Sequence, residues 1–173
     1  DRVPHKFAVK SLTQAARLNF FDLKNYQKAE QYFQKMRDFA STEALRLEAM
    51  RGLLRSQHQL KKWDVAVTNA SELLQVKNLS SDDKILASLV LAKSSQINNE
   101  CAAAITHYRT VANLSKGEYG AEARFEIANC QFSMGRYADA EKSAFEVINQ
   151  SGSYAWWVTK AYILLGDIYF IQK

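Results

Sequence analysis

The chain has 173 residues, 47% of them apolar and 24% charged, a balance that excludes a disordered polymer and allows either one domain with a core or one elongated array. A single proline, Pro4, and six glycines argue against a many-stranded β fold, and no apolar run is long enough to span a bilayer. The net charge of +5 is unevenly placed, with 13 basic against 6 acidic side chains in residues 1–62 and 10 against 12 in residues 63–173.

A first helical run is expected over residues 7–22. It leads to Tyr26-Gln-Lys-Ala29, which opens an amphipathic run through Tyr32, Phe33 and Met36. A second run, 43–60, leads to Trp63-Asp-Val-Ala66 and on to Ala70 and Leu73. A third, 82–98, leads to Cys101-Ala-Ala-Ala104, then Tyr108 and Val111. A fourth, 119–134, leads to Tyr137-Ala-Asp-Ala140, then Ala144 and Val147, and a fifth covers 154–172. The four anchors, an aromatic or Cys followed three residues later by Ala, are spaced 37, 38 and 36 residues apart. Self-similarity at such a period marks a repeat architecture.

Each anchor follows a helical run, so the order is A-B four times and then a final A. Ser80-Ser-Asp-Asp83 and Ser115-Lys-Gly-Glu118 read as helix starts, with a hydroxyl accepting from the first-turn amides and an acid three residues on. Gly135, two residues before Tyr137, is expected to end a helix in the left-handed conformation. Ala29, Ala66, Ala104 and Ala140 are expected to keep one set of helix crossings close; Ala92, Ala128 and Gly166 are expected to do the same at another. The anchor rings are expected to wedge between helix pairs.

At these residues the chain resembles the tetratricopeptide repeat (TPR) family. The clearest second half is Gly135, Tyr137, Ala140, and the clearest first helix is Tyr162, Leu165-Gly166, Tyr169. Met50 and Leu53-Leu54 before Trp63, and Leu91-Ala92 before Cys101, match more loosely. In the first repeat the A helix fits with a one-residue ambiguity around Ala16-Arg17. The resemblance implies an all-α, right-handed α-solenoid of antiparallel helix pairs, with about four repeats (7–40, 42–77, 81–115, 118–151) and a half repeat, 154–173, in one superhelical domain. Leu54 stands where the family has a small residue, and the repeat-closing proline is absent. The long, degenerate repeats are similar to those of bacterial cell-envelope TPR proteins, which implies a soluble segment of the periplasm or cell envelope, cut from a longer chain that continues past Lys173.

No catalytic constellation is present. The sequence has no phosphate-binding loop, dinucleotide fingerprint, nucleophile elbow or His-Glu-x-x-His motif. His5, His58 and His107 lie in separate segments without metal-ligand spacing. Cys101 and Cys130 read as small buried apolar residues rather than a disulfide or zinc framework. No enzyme activity, cofactor or metal is expected. In TPR arrays the A helices line a concave groove, and the resemblance carries that role to Arg55, Lys93, Asn129 and Asp167. Arg51 and Phe125 lie one turn earlier; His58, Phe132 and Phe170 lie one turn later. Arg51 and Arg55, four residues apart on one helix face, suit a carboxylate. The expected function is a non-catalytic protein–protein interaction module that holds a peptide segment or helix of an acidic partner. Two alternatives are self-association through the apolar last helix and nucleic-acid binding by the basic half.

Overall fold

Every anchor begins a helix. The computed structural model describes residues 6–173, so His5 and Pro4 lie outside the described residues. Among the described residues there are nine α-helices and no strand: α1 (Lys6–Arg17), α2 (Tyr26–Asp38), α3 (Glu43–Gln59), α4 (Trp63–Leu74), α5 (Ser81–Ile97), α6 (Cys101–Leu114), α7 (Glu118–Ser133), α8 (Tyr137–Gln150) and α9 (Ala155–Ile171). The B helices α2, α4, α6 and α8 start on Tyr26, Trp63, Cys101 and Tyr137 themselves. The chain is built of consecutive TPR-like helix pairs and divides into two compact units, one ending at Leu79 and the other running Ser80–Lys173.

In the first unit α1 packs on α2, α2 on α3 and α3 on α4. Ala16, Ala29, Phe33, Met36, Ala49 and Leu53 form its core. In the second unit α5 to α9 pack in sequence, and α7 also meets α5 and α9. Two clusters hold it: one centred on Leu89, Ala104, Tyr108 and Val111, the other on Ala128, Ala140, Ala144, Val147 and Ile168. Ala29, Ala66, Ala104 and Ala140 are all fully buried, as the close-crossing argument requires. Gly166 is not at a crossing: it is exposed, and a Cβ built there would meet nothing within 4 Å. The close approach in the first unit falls instead on Gly52, where an added Cβ would stand 2.3 Å from the Phe33 ring. Leu54, in the expected slot, is fully buried.

The A-to-B joints share one backbone solution. Lys24, Lys61, Asn99 and Gly135, each two residues before an anchor, have φ of 51°, 56°, 62° and 73°. At the last three, paired hydrogen bonds close the helix end: Lys61 N–H to the His58 carbonyl and Lys62 N–H to that of Gln57, then Asn99 to Gln96 and Glu100 to Ser95, then Gly135 to Phe132 and Arg136 to Gln131. This is the left-handed helix stop that satisfies otherwise orphaned carbonyls. The first joint differs because Leu18–Asp22 forms a π turn, with Asn25 N–H reaching the Asn19 carbonyl. A π turn holds one extra residue, which is the physical origin of the one-residue ambiguity in the first A helix.

Each aromatic anchor makes a ring contact within its own pair, and Tyr137 also packs against the cluster that α9 shares. Tyr26, Trp63 and Tyr137 lie edge-on to Phe20, His58 and Phe132, with ring centroids 5.3, 5.3 and 5.5 Å apart. The left-handed stop turns the B helix back so that its first side chain lands on the last turn of the A helix. Ser80 caps α5, accepting from Asp83 N–H at 3.2 Å while its hydroxyl donates to the Asp83 carboxylate at 2.6 Å. Ser115 does not cap α7. Because α6 runs to Leu114, Ser115 follows that helix, its Oγ accepts from Gly117 N–H, and Gly117 precedes α7 without a side-chain cap.

Candidate interaction surfaces

The nine residues carried over from the family pattern fall into different environments. In the first unit Arg51, Arg55 and His58 are half-buried on α3, with His58 set edge-on to Trp63. In the second unit Lys93 is half-buried and ion-paired with Glu122 of α7. Asn129 donates to Glu126, which also accepts from Gln96 at 2.7 Å. Phe132 is half-buried against Tyr137, and Phe125 is 7% exposed in the core beside Trp157. Asp167 and Phe170 of α9 are open to solvent, Phe170 at 80%.

Glu122 and Glu126 stand next to Lys93 and Gln96, so this face of the second unit is a polar ladder in which the Lys93 charge is paired. The acids were not legible as partners because the ties join residues about thirty positions apart, beyond any helical spacing.

Among the described residues, α9 carries more exposed large apolar side chains than any other helix. Trp156, Tyr162, Ile163 and Phe170 are 58–80% exposed, while Ala161, Leu164, Leu165 and Ile168 on the opposite side are buried against the unit. The Lys160 ammonium lies over the rings of Phe125, Trp156 and Trp157 at 5.0–5.4 Å, a cation–π arrangement that fixes the start of the helix. Tyr169 donates to Glu141 of α8 at 2.6 Å, which raises its pKa.

The two units differ in how polar side chains meet between their helices. In the first, Arg37 donates to Asn69 Oδ1 and Glu72 Oε2, each at 2.6 Å. Asn69 in turn donates to Gln57 Oε1 at 2.9 Å, and Glu30 accepts from Gln57 and Lys62. In the second, a polar groove of about 580 Å3 is lined by α6, α7 and α8. Cys130 is buried, its thiol pKa raised first by burial and then by hydrogen bonding with Cys101; neither cysteine is in a disulfide. A buried, protonated thiol is a poor nucleophile. Burial lowers the pKa of His107. Among the described residues no group of three His, Cys, Asp or Glu side chains could hold a metal, and no helix is long and apolar enough to cross a membrane.

No family model and no curated protein matches the sequence. Among solved structures, the chain is similar to the crystal structure of MamA protein, a TPR-type helical repeat protein. The TM-score is 0.69 at 14% identity, covering 91% of this chain and 82% of that one. At that identity the likeness establishes the fold, which is all-α and TPR-like.

Proposed function

We propose that the chain is a non-catalytic protein-interaction module that binds a helical or peptide segment of a partner protein along the A-helix face of the second unit, with α9 as its principal contact. The observation that carries this reading is the apolar strip of Tyr162, Ile163 and Phe170 around Gly166, exposed on a helix whose other side is buried, for which a partner segment competes with any further helix of the same chain. Contiguous exposed apolar surface of this kind marks interaction sites in soluble domains. The strip also has the form that a partner helix needs. Gly166 holds the small-residue slot of Ala128 on α7, and Ala128 packs in one cluster with Ala140 of α8. A partner helix with a small residue at the crossing would meet Gly166 as α8 meets α7. Lys93, Asn129, Phe125 and Phe132 then act as the structured floor of the face, and Asp167 as its polar edge. Arg51 and Arg55 supply an additional carboxylate-binding position on α3.

The decisive experiment is site-specific photocrosslinking from position 170 in cells that make the protein. A discrete heteromeric product that is lost with Ile163→Asp supports the reading. Its absence, or its persistence in that variant, removes it. The same strip favours one second reading, self-association through α9. Light scattering that shows a concentration-dependent dimer abolished by Ile163→Asp would establish it; a monomer throughout would exclude it. The cell-envelope setting rests on the family resemblance alone and is tested by fractionating cells that express the natural gene.

A further inference from the structure

The third A-to-B joint lacks the ring pair of the other three. Cys101 stands where they have Tyr26, Trp63 and Tyr137, and Gln96 stands where they have Phe20, His58 and Phe132. Gln96 is turned to other partners, accepting from Tyr108 and donating to Glu126. Cys101 has no ring to rest on, and its thiol faces that of Cys130 on the adjacent helix α7. Cys130 lies five residues before Gly135, as Ser56 lies before Lys61 and Ser94 before Asn99. All three side chains are buried. The place is filled by a hydroxyl in the other repeats, so the sulfur of Cys130 is not needed to fill it.

The two thiols differ in access. Cys101 is the first residue of α6 and is half-buried. Cys130 is 1% exposed, within the cluster of Leu89, Ala104, Tyr108 and Val111. An external reagent therefore reaches Cys101, and Cys130 is reached through Cys101. Neither is in a disulfide.

We infer that Cys101 and Cys130 form a reversible disulfide, made by exchange with an external disulfide, that ties the third repeat to the fourth. Cys101, as the thiolate, attacks one sulfur of the external disulfide; that S–S bond breaks and one thiolate leaves. Cys130 then gives up its proton and its sulfur attacks that of Cys101, which expels the second thiolate. The two protein thiols lose two electrons and two protons, and the external disulfide is reduced to two thiols. Burial disfavours the Cys130 thiolate, which makes the second step the slower one. The product carries no charge and sits in the apolar cluster without a desolvation cost. It closes a loop of about 30 residues and so restricts the unfolded chain. The pair lies wholly within α6 and α7 and is independent of the α9 reading.

The test is incubation of the native chain with oxidised glutathione, without denaturant, followed by acid quenching, intact mass and peptide mapping. The expected product is lighter by two hydrogens, carries no glutathione, links Cys101 to Cys130 and reverts with dithiothreitol. Its melting midpoint should lie about 5–10 °C above that of the reduced chain. Cys130→Ser restores the residue of the other repeats and keeps the fold; it should stop at a glutathione adduct on Cys101. Cys101→Ser should leave Cys130 unmodified over the same time. The inference is overturned by glutathione retained on Cys101 of the native chain, by a disulfide between two chains, or by two thiols still free at the end of the incubation. Modification of Cys130 in Cys101→Ser at the rate seen in the native chain would also overturn it.

Discussion

Lys61 and Gly135 hold the same backbone position in two different repeats, at φ 56° and 73°, each two residues ahead of the ring that opens a B helix. Left-handed backbone costs a side-chain-bearing residue about 1 kcal/mol relative to glycine. Lys61→Gly should therefore stabilise the protein by up to about 1 kcal/mol, less the entropy that glycine adds to the unfolded chain. Gly135→Ala should destabilise it by about 1 kcal/mol, through backbone strain alone, since no atom lies within 4 Å of the new Cβ. Urea denaturation midpoints measure both, and effects of the same sign in the two variants would contradict a shared helix stop.

Gly52 and Gly166 should respond oppositely to alanine. At Gly52 the methyl group collides with the Phe33 ring, and overpacking of this kind costs about 1–3 kcal/mol. At Gly166 there is open space, so alanine should gain up to about 1 kcal/mol of helix propensity. Thermal melts of the two variants test this directly.

Ala140→Leu introduces a large side chain at a fully buried crossing between α8 and its neighbours. A loss of about 1–3 kcal/mol is expected. An unchanged melting midpoint would count against the repeat register.

His107 links stability to pH. Its folded-state pKa lies below the unfolded value of 6.5 because burial disfavours the imidazolium. Unfolding then takes up a proton, so stability is fully present above pH 6.5 and declines as the pH falls through that value toward the lower folded pKa. His107→Gln should flatten the slope of the denaturation midpoint between pH 7 and 5. A slope unchanged in that variant would assign the dependence to other groups.

Much of the fold was legible because its signals are local. Apolar spacing and a small residue three positions past each anchor located the first residue of each of the four B helices. The joints were legible only at Gly135, because Lys24, Lys61 and Asn99 adopt the same conformation without the residue type that announces it. The π turn surfaced in the sequence only as a one-residue slip near Ala16. Gly52 was missed because its role is set by Phe33 on another helix. The surfaces were harder still. Lys93–Glu122 and Gln96–Glu126 join different repeats. Long-range pairing leaves no periodic trace.

Ile163→Asp and Phe170→Ser alter exposed positions of α9 and should change stability by no more than about 0.5 kcal/mol. The most direct test of the interaction reading is photocrosslinking from position 170 compared with position 149 on the exposed side of α8. The account predicts a discrete partner product from position 170 alone, abolished by Ile163→Asp. Identical products from both positions, or none from position 170, would contradict it.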